Sequence, residues 1–329
     1  MSSSKDKQNA IRKLKALNFS AKTDVKDFRD KINSTFSSIY LPNQVSLSER
    51  KFDDVECDVI EPVMFSSRRI LIYVHGGSFV GGSRKAYRPF VSTLANSMAC
   101  KAYLPEFRLA PAFPYPSSVE DVQKVFETVF TEAQAALSVI SDGSKNDDEK
   151  SEIIVAADTS GASIAVSLLL SINEKYRSGV SRLILFSPWL DISDDNQIFK
   201  VRKASDEVFT AEGIRFAAEN YTHVANRNSP LVSPLKGSPA EFKGFPKVFI
   251  QMGEKELFLD DAEKFHSLIY DAGSKCDIDI WKGMMPMFQL ADEYLSESHL
   301  AIEKIGKMIT NPSHDDESET RILLKLEKN

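Results

Sequence analysis

The chain has 329 residues, 42% of them hydrophobic, 27% charged and 10% aromatic, enough for a sizeable core and unlike collagen-like, low-complexity or disulfide-stapled chains. Its 41 Lys and Arg against 47 Asp and Glu leave a net charge of −6, with no basic block to neutralise a phosphate backbone, so no nucleic-acid partner is expected. The start lacks a leader's apolar stretch, no run suits a membrane span, and Cys57, Cys100 and Cys276 lack paired spacing; a reduced, cytoplasmic protein is expected.

Residues 1–45 are predicted to be helical, because Val25, Phe28, Ile32, Phe36 and Ile39 recur every three or four residues after a shorter stripe at Ile11, Leu14 and Leu17. From Phe52 the period becomes two, with Val55, Cys57 and Val59 on one face, as in a half-buried antiparallel strand. Short apolar runs then recur between helix-length segments, at 70–74, 101–104, 153–157, 183–186, 248–251 and 278–281. This alternation predicts an α/β fold with a mainly parallel sheet. Residues 141–151, SDGSKNDDEKS, have nothing to bury and read as a surface loop, while 191–228 form a longer insertion with helical stretches. The tail from Asn311 starts polar and acidic and is given no role.

Ligands bind at the carboxyl ends of strands in such sheets, so the loops after Val74, Ala157, Gln251 and Trp281 should converge on one pocket. The first reads His75-Gly76-Gly77-Ser78-Phe79-Val80-Gly81-Gly82-Ser83. Its glycines allow a sharp turn with bare N–H groups, which suits a developing oxyanion and equally a phosphate.

With FRLAP at 107–111, PSSVED at 116–121, SPWLD at 187–191, SPL at 233–235, Trp281 and Phe288-Gln289, this loop resembles the fold-3, hormone-sensitive-lipase-like branch of the α/β-hydrolases. That branch contains carboxylesterases, lipases and lactone hydrolases, and the likeness runs over residues 50–305. It implies an eight-stranded hydrolase core from 46–190 and 229–310, a helical cap from 1–45 and 191–228, and a tail at 311–329. It also implies an oxyanion hole made by the N–H groups of Gly77, Ser78 and Ser160, with His75 bracing the turn.

Against that pattern two side chains are wrong for catalysis. Ala157-Asp158-Thr159-Ser160-Gly161-Ala162 stands where the family carries Gly-Asp-Ser-Ala-Gly-Gly, so Thr159 replaces the nucleophilic serine. A residue branched at Cβ is strained at the positive φ of such an elbow and is a hindered attacker. A shift of one residue would make Ser160 the nucleophile, at the expense of an oxyanion donor and with Asp158 and Ala162 at the close-approach positions. The acid position is kept by Glu256, with Asp260 and Asp261 bracing the loop or capping the next helix. Pro286 falls on the histidine position, in Trp281-Lys282-Gly283-Met284-Met285-Pro286-Met287-Phe288-Gln289, and proline cannot carry a proton. His299 reads as a half-buried structural residue and His266 lies beside Phe265; His314 is in the tail, and His223, in the insertion, stays open as a substitute base.

Loss of nucleophile or histidine costs a serine hydrolase about 10⁶ in turnover. The expectation is therefore a catalytically impaired carboxylesterase- or lipase-like protein that binds a small apolar or ester-like ligand against Phe79, Met284, Met285, Met287 and Phe288. No Walker, dinucleotide or metal-ligand pattern is present, so no cofactor and no metal are expected. Two readings stay open beside it: an active carboxylic-ester or lactone hydrolase with an atypical triad, and a structural scaffold. Family relatives often dimerise, which leaves a homodimer open.

Overall fold

The computed structural model describes residues 2–38, 41, 45–140, 151–200 and 206–311. Ile39, most of the 141–151 loop, residues 201–205 of the insertion, His314 and the tail from 312 lie outside them.

The strands are β1 (Val45–Phe52), β2 (Val55–Pro62), β3 (Arg69–Val74), β4 (Lys101–Pro105), β5 (Glu152–Asp158), β6 (Val180–Phe186), β7 (Lys247–Gly253) and β8 (Cys276–Trp281). The main helices are α1 (Ser4–Leu14), α2 (Val25–Phe36), α3 (Arg84–Met98), α4 (Ser117–Ile140), α5 (Thr159–Ser171), α6 (Glu174–Arg177), α7 (Ala211–Tyr221), α8 (Leu259–Asp271) and α9 (Ser296–Thr310). The strands form one eight-stranded sheet in the order β1-β2-β4-β3-β5-β6-β7-β8. β2 runs antiparallel to β1 and β4, and the other neighbours are parallel. Helices cover both faces, so the inner strands β3 and β5 are almost wholly buried and read as unbroken apolar runs.

The predicted strand at 55–59 is β2, and its antiparallel partner β1 carries no pattern that marks it in the sequence. β1 starts at Val45, and most of its residues are exposed. An edge strand of Ser, Glu, Arg and Lys has little apolar alternation to betray it. Accordingly the second N-terminal helix ends at Phe36 rather than running to 45.

The N-terminal segment is tied to the loop after β3 and to α7. The ring of Phe19 lies 4.8 Å from Phe28 and 4.9 Å from Phe216 on α7. Arg29 donates from Nε to the Val80 carbonyl at 2.8 Å and from Nη2 to that of Ala110 at 3.1 Å. A Cβ on Gly81 would sit within 3 Å of Phe28 and Ile32, so this contact needs glycine.

Candidate active site

Four loops meet at the carboxyl ends of β3, β5, β7 and β8. Thr159 follows β5 directly and opens α5 with φ of +42°. A Cβ-branched residue held there stores about 1–3 kcal/mol, so the surrounding packing enforces the turn. Gly161 shows how: a Cβ on it would lie 2.3 Å from the Val74 carbonyl and 2.5 Å from that of His75. The elbow shape expected from the small residues is present.

The hydroxyl of Thr159 is directed backward. It donates to Asp158 Oδ2 at 3.1 Å, and a Cβ on Gly76 would fall 2.0 Å from Thr159 Oγ1. Asp158 is fully buried and also accepts from the Tyr73 hydroxyl (2.8 Å), the Gly76 N–H (2.8 Å) and the Tyr87 hydroxyl (3.0 Å). Burial pushes its carboxyl up to about 6 in spite of these four donors.

In the glycine loop Gly77, Ser78 and Phe79 take φ of +113°, +59° and +61°. The N–H groups of Gly77, Ser78 and Ser160 have no acceptor among the described residues, as an anion cradle requires. The Phe79 N–H is instead spent on Ser160 Oγ at 3.0 Å, and Ser78 Oγ donates to the Leu17 carbonyl at 2.9 Å. Neither bond is legible in the sequence. Ser160 is thereby engaged as a structural acceptor, with 1% of its surface exposed.

Glu256 lies in the loop after β7 and is buried. Its Oε1 accepts from Ser187 Oγ at 2.9 Å and from the Gly253 N–H at 2.5 Å. Its Oε2 has no partner among the described residues. Burial, reinforced by the Asp206 carboxylate, raises this carboxyl well above the usual range. Ser187 Oγ in turn accepts from the Met287 N–H at 3.0 Å, which pins the buried segment around Pro286 beside the acid loop.

No histidine nitrogen bonds Thr159 or Glu256 among the described residues. His75 is sandwiched between Phe107 and Tyr87, with centroids at 4.3 Å and 5.2 Å. Its Nδ1 donates to the Gly76 carbonyl at 2.8 Å, and Nε2 is buried without a partner. Burial lowers its pKa to about 4, so the ring is neutral. His223 is exposed and accepts from the Ala225 N–H at 3.3 Å. His266 is half-buried on α8, and His299 is exposed on α9, not half-buried as expected from the neighbouring stripe. Asp260 pairs with Lys264 at 2.7 Å, while Asp261 is buried against Asn196, a brace rather than a cap.

Phe79, Met284, Met285, Met287 and Phe288 are each less than 5% exposed. Phe79 stacks on Tyr221 of α7 at 3.8 Å and lies 5.1 Å from Trp189. Thr159 is 3% exposed, so the elbow is closed over in this structure. Among the described residues no three His, Cys, Asp or Glu side chains are grouped to hold a metal, and no helix is long and apolar enough to cross a membrane.

A mainly parallel eight-stranded sheet with a strand-to-helix elbow and a glycine loop at the carboxyl ends of its strands defines an α/β-hydrolase. A sequence profile for that fold matches residues 71–290, and the chain belongs to this family. It is 26% identical over 247 residues to an esterase of Acinetobacter venetianus, covering 75% of this chain and 76% of the relative. It is 25% identical over 241 residues to an acetyl-hydrolase of Streptomyces hygroscopicus, covering 73% and 75%. An esterase of the bacterial hormone-sensitive lipase family has the same fold, with a TM-score of 0.80 at 23% identity over 94% of this chain and 98% of that one. The family resemblance read from the motifs is borne out.

Proposed function

We propose that this chain is a catalytically impaired carboxylesterase-like protein that binds a small apolar or ester-like ligand and hydrolyses esters poorly or not at all. The observation that carries this reading is the orientation of Thr159. Its hydroxyl donates to Asp158 and meets no imidazole, while Pro286 occupies the histidine position and Glu256 Oε2 is left without the donor that a histidine would supply. Nucleophile and acid are therefore unconnected, and no group between them carries a proton from the attacking oxygen to the leaving group. The free N–H groups of Gly77, Ser78 and Ser160 support retention of a carbonyl-binding cradle. In this reading residues 1–45 and 191–228 cap the pocket, and the Phe79–Tyr221 stack must part to admit the ligand.

One observation favours a second reading. The Thr159–Asp158 bond of 3.1 Å joins a hydroxyl to a carboxyl with a pKa of about 6, so an active hydrolase would use Asp158 as base. The test is turnover of p-nitrophenyl acetate and butyrate by the wild type, Thr159→Ala and Asp158→Asn. Equal background rates in all three support the impaired protein. Turnover that both substitutions abolish establishes the alternative. Thermal shifts with acyl ligands then separate a binder from a scaffold, since a ligand of the folded state raises the melting temperature.

A further inference from the structure

A cavity of about 540 Å³ lies away from the elbow, between the N-terminal helices, α3, α9 and the turn that follows Phe288. None of Thr159, Ser78 or Glu256 lines it. Its volume falls in the range of small-molecule sites. Phe36, Pro89, Phe90, Leu290 and Ile302 give it apolar lining, and Gln289 lines it beside the hydroxyl-bearing Thr35, Ser37 and Thr93.

The polarity of Gln289 is fixed by a chain of amides. Gln251 Nε2 reaches the Ala301 carbonyl at 3.2 Å and Asp279 Oδ2 at 3.1 Å. A carbonyl oxygen only accepts, so this end of Gln251 is its donor and Gln251 Oε1 faces Gln289 as an acceptor. Gln289 Nε2 donates to it at 3.0 Å. The Gln289 carbonyl oxygen is thereby an acceptor, and it is buried with no donor among the described residues. Such an orphan is uncommon in native structures and calls for a partner. The mouth carries Lys13 paired with Glu293 at 2.7 Å and, beside them, Asp292. That leaves one carboxylate in excess, which disfavours an anionic ligand.

We propose that this cavity is a second ligand site, separate from the elbow pocket, for a neutral apolar molecule with one hydroxyl that donates to the Gln289 carbonyl oxygen. The apolar body lies along Phe36, Phe90 and Ile302; because the Gln289 oxygen is buried in this structure, binding requires that side chain to turn toward the cavity.

The probe is 1-decanol, with decyl methyl ether and decanoic acid as matched controls, titrated into the full-length protein by calorimetry and followed by the side-chain amide resonances of Gln289. The expected result is binding of the alcohol with a shift of those resonances, and binding of the ether and the acid weaker by about tenfold or more. Thr93→Phe and Ile302→Phe fill the cavity from α3 and from α9 and abolish binding; two variants are used so that either one, shown folded by circular dichroism, suffices. Gln289→Leu keeps an apolar site and erases the preference for alcohol over ether. No binding of the alcohol to its solubility limit, equal binding of the ether, or undiminished binding to a folded cavity-filling variant overturns the proposal.

Discussion

The hydroxyl of Thr159 donates to the carboxyl group of its chain neighbour Asp158, 3.1 Å away. In that position it completes a buried set of donors with Tyr73, Tyr87 and Gly76. The threonine of the elbow thus acts as a structural ligand of a buried acid.

Reactivation follows from this geometry. Thr159→Ser relieves the branched side chain at positive φ, and Pro286→His returns a proton carrier at the position where the family pattern has its histidine. The double variant is expected to hydrolyse p-nitrophenyl butyrate about tenfold or more above the wild-type rate, since the lost functions act as a unit. Adding Glu256→Gln should return the rate to background, and each single variant should gain nothing.

Glu256 itself should behave as a stability liability at high pH. Its carboxyl is raised well above the usual range by burial, so the folded state holds the proton more tightly than the unfolded state and stability falls as pH rises. Glu256→Gln retains the acceptor for Ser187 and Gly253 and cannot ionise. Urea unfolding should show a difference in midpoint, variant minus wild type, that grows from pH 5 to pH 8; in an active triad the same change would be read mainly in turnover.

The whole chain should share this trend. Burial raises Asp158 and Asp206 to about 6 and Asp261 to about 7. Each contributes stability that is fully present below the ordinary aspartate range and lost as pH rises through those values. In the opposite sense, bonds from Lys236 and Ser193 lower Asp195 to about 2, so its contribution disappears only in strong acid. The buried His75, lowered to about 4, opposes the decline between about pH 4 and 6.5 but is outnumbered, so stability is expected to peak near pH 4, and Asp261→Asn should flatten the decline toward pH 8.

Phe19 joins the N-terminal segment to α7 through Phe28 and Phe216 and is 1% exposed. Phe19→Ala should lower stability by about 3–5 kcal/mol, as for a large aromatic side chain removed from a core. Hydrogen exchange should speed up in α2 and α7 before it does in β3 and β5. Equal acceleration throughout would show that these helices are no separate layer over the sheet.

β2 was legible from its period of two, the later strands because short apolar runs recur between longer segments, and the inner β3 and β5 most plainly because burial on both faces demands unbroken apolar residues. β1 was not, since an exposed edge needs few apolar residues. The site was legible where chemistry resides in residue identity: Thr159, Glu256 and Pro286 can be set against a family pattern without coordinates.

By itself, the sequence determined the family, the glycine loop and the presence of Thr159 and Pro286 at two positions of the family pattern, because those are properties of side chains and local order. Only the tertiary structure decided where the Thr159 hydroxyl points, that Ser160 is engaged by Phe79, that the other described histidines do not bond the elbow threonine, and that Gln289 borders a cavity. Those facts rest on distances between residues far apart in the chain, which packing sets and no local pattern encodes.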